Sequence, residues 1–483
     1  MSTHPLAATP AGLDAVARLT AITLDALREG RSRRCGPIAR GGPESVADMV
    51  RERLPIALPQ DGVGADEALR RVVGMVAEGA ADPADPRCVA HLHTASLAVA
   101  AAADLAASVL NPSLDSWDQA PAAGELESRV SQVIAGLVYP LIPDADAIVT
   151  TGATESNLVA LLLARERLGS RLQVLCSADA HHSVGRAAWM LGLPPPVPVP
   201  TRRGALDTAA LAGLLAQITD PVFVVATAGT TDRGVIDPIG AIGELTRAHG
   251  GHLHVDAAYG GGLLFSSHRR LIDGIELADT VALDLHKFGW QPLPAGFLAV
   301  RSAGLLTPLS LVADYLNAED DQEAGFPDWL ARSIRTSRRP DVLKIAVTFQ
   351  ALGWNGLAEL TDRCCSMAQD AADLIEVRPG FRLLERPQIS TVLFRPTVAD
   401  RMRVEAGNEL VTEVRRVLLA SGAAVLGRAT VAEDGLVWLK LTLLNPEVTR
   451  PQLIQLLDAV ESVVDSLEAT SLIGEELQHA RTT

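Results

Sequence analysis

The sequence predicts an α/β fold built on a mostly parallel sheet with helices on both faces. Three observations predict it. From about residue 145 onward, apolar runs of four to eight residues alternate with stretches of helical period, the pattern of strands covered on both sides. The polar motifs TTGAT, SADAHHS, ATAGTT, VDAAY and LDLHK all fall at the carboxyl ends of those runs, where the ligand crevice of such a sheet lies. Beyond about residue 355 the alternation gives way to a mixture of strands and helices that reads as a small α+β domain.

Taken in order, residues 12–30 and 45–54 read as amphipathic helices joined by the Gly-, Pro- and Arg-rich connector REGRSRRCGPIARGGPES. A second break, AEGAADPADPRC, closes an N-terminal helical segment at 1–88. VAHLHTASLAVAAAADLAASVL (89–110) is long enough to span a bilayer, but it carries His91, His93 and Asp104 and is mostly alanine. It therefore reads as a functional segment leading into a buried helix. The large domain, 89–355, supplies DAIVTTG, LQVLCSADA, PVFVVATAGTT, HLHVDAAYGG, ADTVALDLH and AGFLAVR as strands. Between them, ATESNLVALLLARERLG, HHSVGRAAWMLGL and IGELTRAHG have helical period. The C-terminal domain, 356–483, runs from the helix LAELTDRCCSMAQDAADLIE through ISTVLFRP, a helix near 403–420 and LVWLKLTLLNP to a terminal helix near 450–468.

At 483 residues the chain exceeds what one hydrophobic core serves, so two or three domains are expected. Its 48% apolar and 21% charged residues are those of a soluble globular protein. The net charge of −16, with no basic block, argues against nucleic acid and suits a cationic or small-molecule partner. Five cysteines without a CxxC pair suit reduced thiols, and the N-terminus lacks the basic and apolar regions of a leader. A cytoplasmic location without membrane attachment is the expectation.

Lysine is almost absent, occurring only at 287, 344 and 440, while arginine supplies the other cations. Lys287, set in the apolar run ALDLHKFGW, therefore asks for chemistry that a permanently charged guanidinium cannot perform, such as losing a proton and attacking a carbonyl. TTGATESNL opens a helix with exposed backbone N–H groups that can take an anion. Asp256 ends an apolar strand, where a carboxylate calls for a positive partner such as a protonated pyridine nitrogen. Read singly, each has an ordinary structural reading: a snorkelling lysine, an N-cap, an Asx turn. The histidines His181, His182, His249, His252 and His254 follow no metal-ligand spacing, so no metal is expected. Read together, an anion cradle, an acidic strand end and an imine-forming lysine describe pyridoxal 5'-phosphate.

At this point the chain resembles the group II pyridoxal-phosphate-dependent decarboxylases, over roughly residues 80–465. HVDAAYGG followed by ADTVALDLHK is similar to the family signature ending in His-Lys. NPSLDSWDQAPAAGELE (111–127) and RTSRRPDVLKI (335–345) resemble the branch containing diaminobutyrate decarboxylases and the siderophore-pathway lysine and ornithine decarboxylases. The resemblance implies fold type I, the aspartate-aminotransferase-like architecture with a seven-stranded sheet. It implies that Lys287 is the Schiff-base lysine and that His286, Ala153 and Thr154 hold the phosphate. His181 would stack on the ring, Asp256 pair with its nitrogen, Ala258 lie against it and Thr227 stand near Asp256. Tyr315, in the polar stretch ADYLNAEDD, matches a mobile-loop tyrosine that donates a proton, and Thr94 with His93 falls where the substrate entrance is lined. A homodimer with active sites at the subunit interface is implied as well. HHS and QPLPAG depart from the commoner forms, and both bear on the substrate more than on the cofactor.

The expected reaction is decarboxylation of an L-amino acid, with a basic diamino acid such as 2,4-diaminobutyrate, ornithine or lysine as substrate. An aromatic or acidic substrate, or an oxidase or aminotransferase on the same scaffold, is the rival reading; a metal-dependent hydrolase is a distant one.

Overall fold

The computed structural model describes residues 5–310, 319–327 and 329–482, with the side chains of Glu319 and of residues beyond 469 excepted. Tyr315 and its neighbours lie outside the described residues. The chain forms two compact units, residues 96–366 with 387–390, and residues 1–95 with 367–386 and 391–483.

The first unit is built on seven strands: β1 (Asp146–Thr150), β2 (Gln173–Ser177), β3 (Val197–Val199) and, after a short hairpin of β4 (Thr201–Arg202) and β5 (Ala205–Leu206), β6 (Val222–Thr227), β7 (His252–Ala257), β8 (Thr280–Asp284) and β9 (Gly296–Val300). Their order is β1-β9-β8-β7-β6-β2-β3. The five strands from β3 to β8 run parallel, whereas β9 lies antiparallel to both β8 and β1. Strands β6, β7, β8 and β9 are buried at every position, as near-continuous apolar runs require when helices cover both faces.

Alternation along β7 shows both coverings. His254 meets Asn157 on the helix Ala153–Leu168, while Leu253, pointing the opposite way, packs beside Gly243 on the helix Ile239–Ala248. On the first of these faces Ile148, Val159, Leu163, Val174, Phe223, Val225 and Leu298 form one apolar cluster. Each such side chain contributes roughly 1.5–3 kcal/mol through its removal from water.

In the second unit, β10 (Phe381–Leu383), β11 (Thr391–Pro396), β12 (Gly427–Val431) and β13 (Leu436–Thr442) form an antiparallel sheet in the order β10-β11-β13-β12. Helices from Val404 and Arg450 pack on it through Val411, Val414, Leu418, Leu456, Leu457 and Val460. The N-terminal residues join this unit through backbone bonds: Val89 N–H donates to Val425 O at 2.9 Å and Thr442 N–H to Val89 O at 2.7 Å. The helix Pro10–Arg34 begins where Thr9 Oγ1 accepts from Gly12 N–H at 3.1 Å, with proline at its first position. Among the described residues no helix is long and apolar enough to cross a membrane. The run 89–110 accounts for this: only Ala98–Leu110 is helical, and it buries one alanine face (Ala100, Ala103, Ala107).

Candidate active site

The parallel strands deliver their carboxyl ends to one edge, and polar side chains that are far apart in sequence meet there. β1 ends at Thr150, and the turn through Gly152 opens the helix Ala153–Leu168. Gly152 has a φ of 155°, and a Cβ added there would stand 3.1 Å from His286 Cε1, so a side chain at 152 would crowd the end of β8. Asp284, the last residue of β8, joins the two elements. Its Oδ1 accepts from Ala153 N–H at 2.8 Å, and its Oδ2 lies 3.1 Å from Lys287 Nζ and 3.5 Å from His286 Nε2. A carboxylate on the first N–H of that helix shows what the turn attracts: negative charge at a helix N-terminus.

β6 and β7 place Thr227 directly beside Asp256 in register. The Asp256 carboxylate is buried and accepts from Asn157 Nδ2 at 2.8 Å and from Ala258 N–H at 3.1 Å. His181, after β2, is tied to the same centre through Ser183. Ser183 Oγ is 2.8 Å from His181 Nδ1 and 2.8 Å from Asn157 Nδ2, and His182 leaves its ring centroid 4.1 Å from that of His181.

Burial sets the charge states. It lowers the His181 and His286 imidazoles below their ordinary value, although Asp256 and Asp284 pull the other way. It lowers His254 to about 4, against a smaller opposing pull from Asp256. Asp237 accepts from Thr227 N–H and Leu206 N–H, both at 2.7 Å, yet burial still pushes its carboxyl up to about 6.

The geometry thus gathers Ala153, Asp256, Ala258, Thr227, His286, Lys287 and His181 at one strand-end cluster. Thr154 is exposed on the first turn of its helix. Thr94 and His93 belong to the other unit, where Thr94 Oγ1 is buried 3.3 Å from Leu444 O and His93 is exposed. Asn157, Ser183, Asp237 and Asp284 were not singled out in the sequence. Asn157 and Ser183 sit at polar positions of helix patterns, Asp237 carried no motif, and Asp284 was overshadowed by His286 and Lys287 within LDLHK. His252 and His254 are consumed in hydrogen bonds, and among the described residues no group of His, Cys, Asp or Glu could hold a metal.

These residues fit pyridoxal 5'-phosphate. The buried Thr227 Oγ1, beside Asp256 in register, has no hydrogen-bond partner within the protein, and a bound group can supply one. The donor set is apt: an amine at Lys287, a carboxylate at Asp256 for a ring N–H, and a helix N-terminus for a phosphate.

Comparison with known proteins adds three findings. Residues 48–397 match the family described as the pyridoxal-dependent decarboxylase conserved domain. Two L-2,4-diaminobutyrate decarboxylases are similar. That of Rhizobium meliloti (strain 1021) is 39% identical over 422 residues, 85% of this chain and 84% of that protein. That of Acinetobacter baumannii is 31% identical over 460 residues, 88% and 89%. The solved glutamate decarboxylase domain of the diaminobutyrate-pyruvate transaminase and L-2,4-diaminobutyrate decarboxylase from Vibrio parahaemolyticus superposes with a TM-score of 0.84 at 29% identity, over 96% of this chain and 98% of that one.

Proposed function

The chain belongs to the pyridoxal-dependent decarboxylase family, and from that premise we propose that its substrate is a basic diamino acid, 2,4-diaminobutyrate before ornithine or lysine. Its class of reaction is that of the family: a pyridoxal-phosphate-dependent carboxy-lyase releasing carbon dioxide and an amine. The observation that carries the site assignment is the strand-end cluster, in which an amine (Lys287), a buried carboxylate (Asp256) and a helix N-terminus (Ala153) converge. The substrate reading is supported by two relatives that bear that activity in their names and each match more than four-fifths of this chain. The net charge of −16 favours a cationic substrate in the same sense.

When bound, pyridoxal phosphate supplies an electron sink for the pair left behind as carbon dioxide departs. Asp256 would hold negative charge against the ring nitrogen, keeping a proton there. Lys287 would anchor the cofactor through Nζ and yield that place to the substrate's amine. The turn at Ala153 and Thr154, with His286, would hold the phosphate at the helix N-terminus. Ala258 and His181 would lie against the ring and exclude water, with Thr227 donating its hydroxyl beside Asp256. Tyr315 would return a proton to the substrate's α-carbon. A homodimer and a cytoplasmic location complete the reading, the latter supported by five free cysteines.

A screen for carbon dioxide release over the common amino acids, ornithine and 2,4-diaminobutyrate tests the substrate. The expected result is the highest kcat/KM on 2,4-diaminobutyrate, and a preference for glutamate, aspartate or an aromatic amino acid would overturn it.

A further inference from the structure

Asp256 stands at the inner end of an unbroken run of hydrogen bonds that begins at the periphery of the sheet. Arg167 Nη2 is 3.1 Å from His252 Nδ1, and His252 Nε2 is 3.1 Å from Thr280 Oγ1. Thr280 Oγ1 is 2.9 Å from His254 Nδ1, His254 Nε2 is 2.9 Å from Asn157 Oδ1, and Asn157 Nδ2 is 2.8 Å from Asp256 Oδ2. His252, Thr280, His254, Asn157 and Asp256 are all buried, whereas the Arg167 side chain is 42% exposed.

The two ends impose one direction on every proton between them. A guanidinium can only donate, so His252 Nδ1 is bare and its proton sits on Nε2. Thr280 Oγ1 accepts that N–H, and its single O–H is left to donate to His254 Nδ1. The Thr280 backbone carbonyl also lies near this imidazole, but the hydroxyl is the partner within 2.9 Å of Nδ1, which places the His254 proton on Nε2, where it donates to Asn157 Oδ1. The amide then turns its Nδ2–H groups inward, one to Asp256 and one to Ser183 Oγ. Ser183 in turn donates to His181 Nδ1, onto which its backbone N–H also points at 3.4 Å, leaving the His181 proton on Nε2. An ionised carboxylate, which only accepts, meets this order without conflict. A protonated Asp256 Oδ2 would need an acceptor, and Asn157 has already committed its oxygen to His254.

We propose that Asn157 is a positioning residue that holds Asp256 as an acceptor-only carboxylate and His181 as its Nε2–H tautomer, its amide being oriented by the Arg167–His252–Thr280–His254 run. The proposal rests on the assignment of Asp256 and His181 to the decarboxylation site. It adds a cause for their protonation states: a single amide serves the carboxylate below the ring nitrogen and the imidazole assigned to the ring's face. It also gives a function to two histidines that the reaction itself does not use.

Thr280 tests this, because its hydroxyl is two partners removed from Asp256. In 15N-histidine spectra of the cofactor-free protein, His252, His254 and His181 should each be neutral with the proton on Nε2. Thr280→Val keeps the shape and deletes the hydroxyl. It should let His254 populate the Nδ1–H tautomer, weaken cofactor binding about 10-fold and lower kcat roughly 10- to 100-fold, with KM within about two-fold. Thr280→Ser, which keeps the hydroxyl, should restore all three readings. Should the valine variant fail to fold, Arg167→Leu at the exposed end releases His252 Nδ1 and should produce the same tautomer mixing in milder form. A wild-type His254 protonated on Nδ1 overturns the proposal. So does a valine variant with shifted tautomers but unchanged kcat and cofactor affinity. Failure of the site assignment is distinguishable, because Asp256→Ala would then also leave carbon dioxide release intact.

Discussion

At the scale of single residues, Lys287 bears the site's chemistry most directly. Lys287→Ala should fold and turn over at least roughly 1,000-fold more slowly, because the amine is lost while the helix N-terminus remains. Lys287→Arg should be no better, since the guanidinium has no free electron pair to offer. Borohydride should fix the cofactor irreversibly to the wild-type chain alone, and activity in either variant within about ten-fold of wild type would refute the assignment. Protonation of the buried groups gives a second expectation. Unfolded histidine titrates near about 6.5, but burial holds His252 well below that and His254 at about 4. Their contribution to stability is therefore complete above about pH 6.5 and is lost as the pH falls towards 4. Asp237 acts in the opposite sense. With its carboxyl pushed up to about 6, the folded chain takes up a proton as the pH falls from there, offsetting part of that loss. Asp237→Asn removes the offset, so the urea midpoint of the cofactor-free variant should fall more steeply between pH 6.5 and 4.5 than that of wild type. Equal slopes would show that Asp237 stays ionised. Much of the site was legible before the structure: Lys287 stood out by the scarcity of lysine, and Asp256 by its place at the end of an apolar strand. Asn157 did not, because a polar residue in the first turns of a helix is unremarkable until β7 brings His254 and Asp256 against it. Asp284 was hidden for a similar reason, its partner Ala153 lying 131 positions away.

At the scale of elements, six of the seven strands of the large sheet were legible because their apolar runs are bounded by turns; the edge strand β3, three residues in a proline-rich stretch, was not. Direction was not. AGFLAVR reads like its neighbours, since burial on both faces erases the alternation that would mark an antiparallel partner, yet β9 runs against β8 and β1. The helix Ala65–Gly79 was also missed; Gly74 in its interior weakens the propensity signal. The antiparallel β9 has a local consequence, because it presses Gly296 against the turn that opens the helix Ala153–Leu168. A Cβ at 296 would lie 2.4 Å from Gly152 Cα, which is backbone and cannot swing aside. Gly296→Ala should therefore displace that turn and weaken cofactor binding by about 10-fold or more, at a cost typical of overpacking, roughly 1–3 kcal/mol. Equilibrium dialysis with pyridoxal phosphate measures it, and wild-type affinity in the variant would show that the turn does not hold the phosphate.

For the whole molecule, the expected homodimer is open to direct measurement. Sedimentation should give about twice the 50.9 kDa chain mass. The helix Pro10–Arg34 leaves Leu13, Leu24 and Leu27 exposed, apolar surface that a second copy would remove from water. Replacing Leu24 and Leu27 together by glutamate should shift the protein towards monomer and lower its activity in parallel; a dimer unmoved by both charges would place the interface elsewhere. The economy of lysine across the chain has a further consequence. Lys344 is 1% exposed between Asp341 and Asp104, and Lys440 is 7% exposed, whereas the Lys287 side chain keeps 18% of its surface open. Acylating reagents applied to the folded chain should thus find one side-chain amine, besides the α-amino group at the chain's start. A lysine-specific protease acting on the denatured chain cuts at three places and yields four peptides. Once the nitrogen at 287 is covalently occupied, that cut is blocked, and the two cuts left yield three peptides. A mass spectrum of the digest then counts occupancy of this one nitrogen, molecule by molecule, with no turnover required.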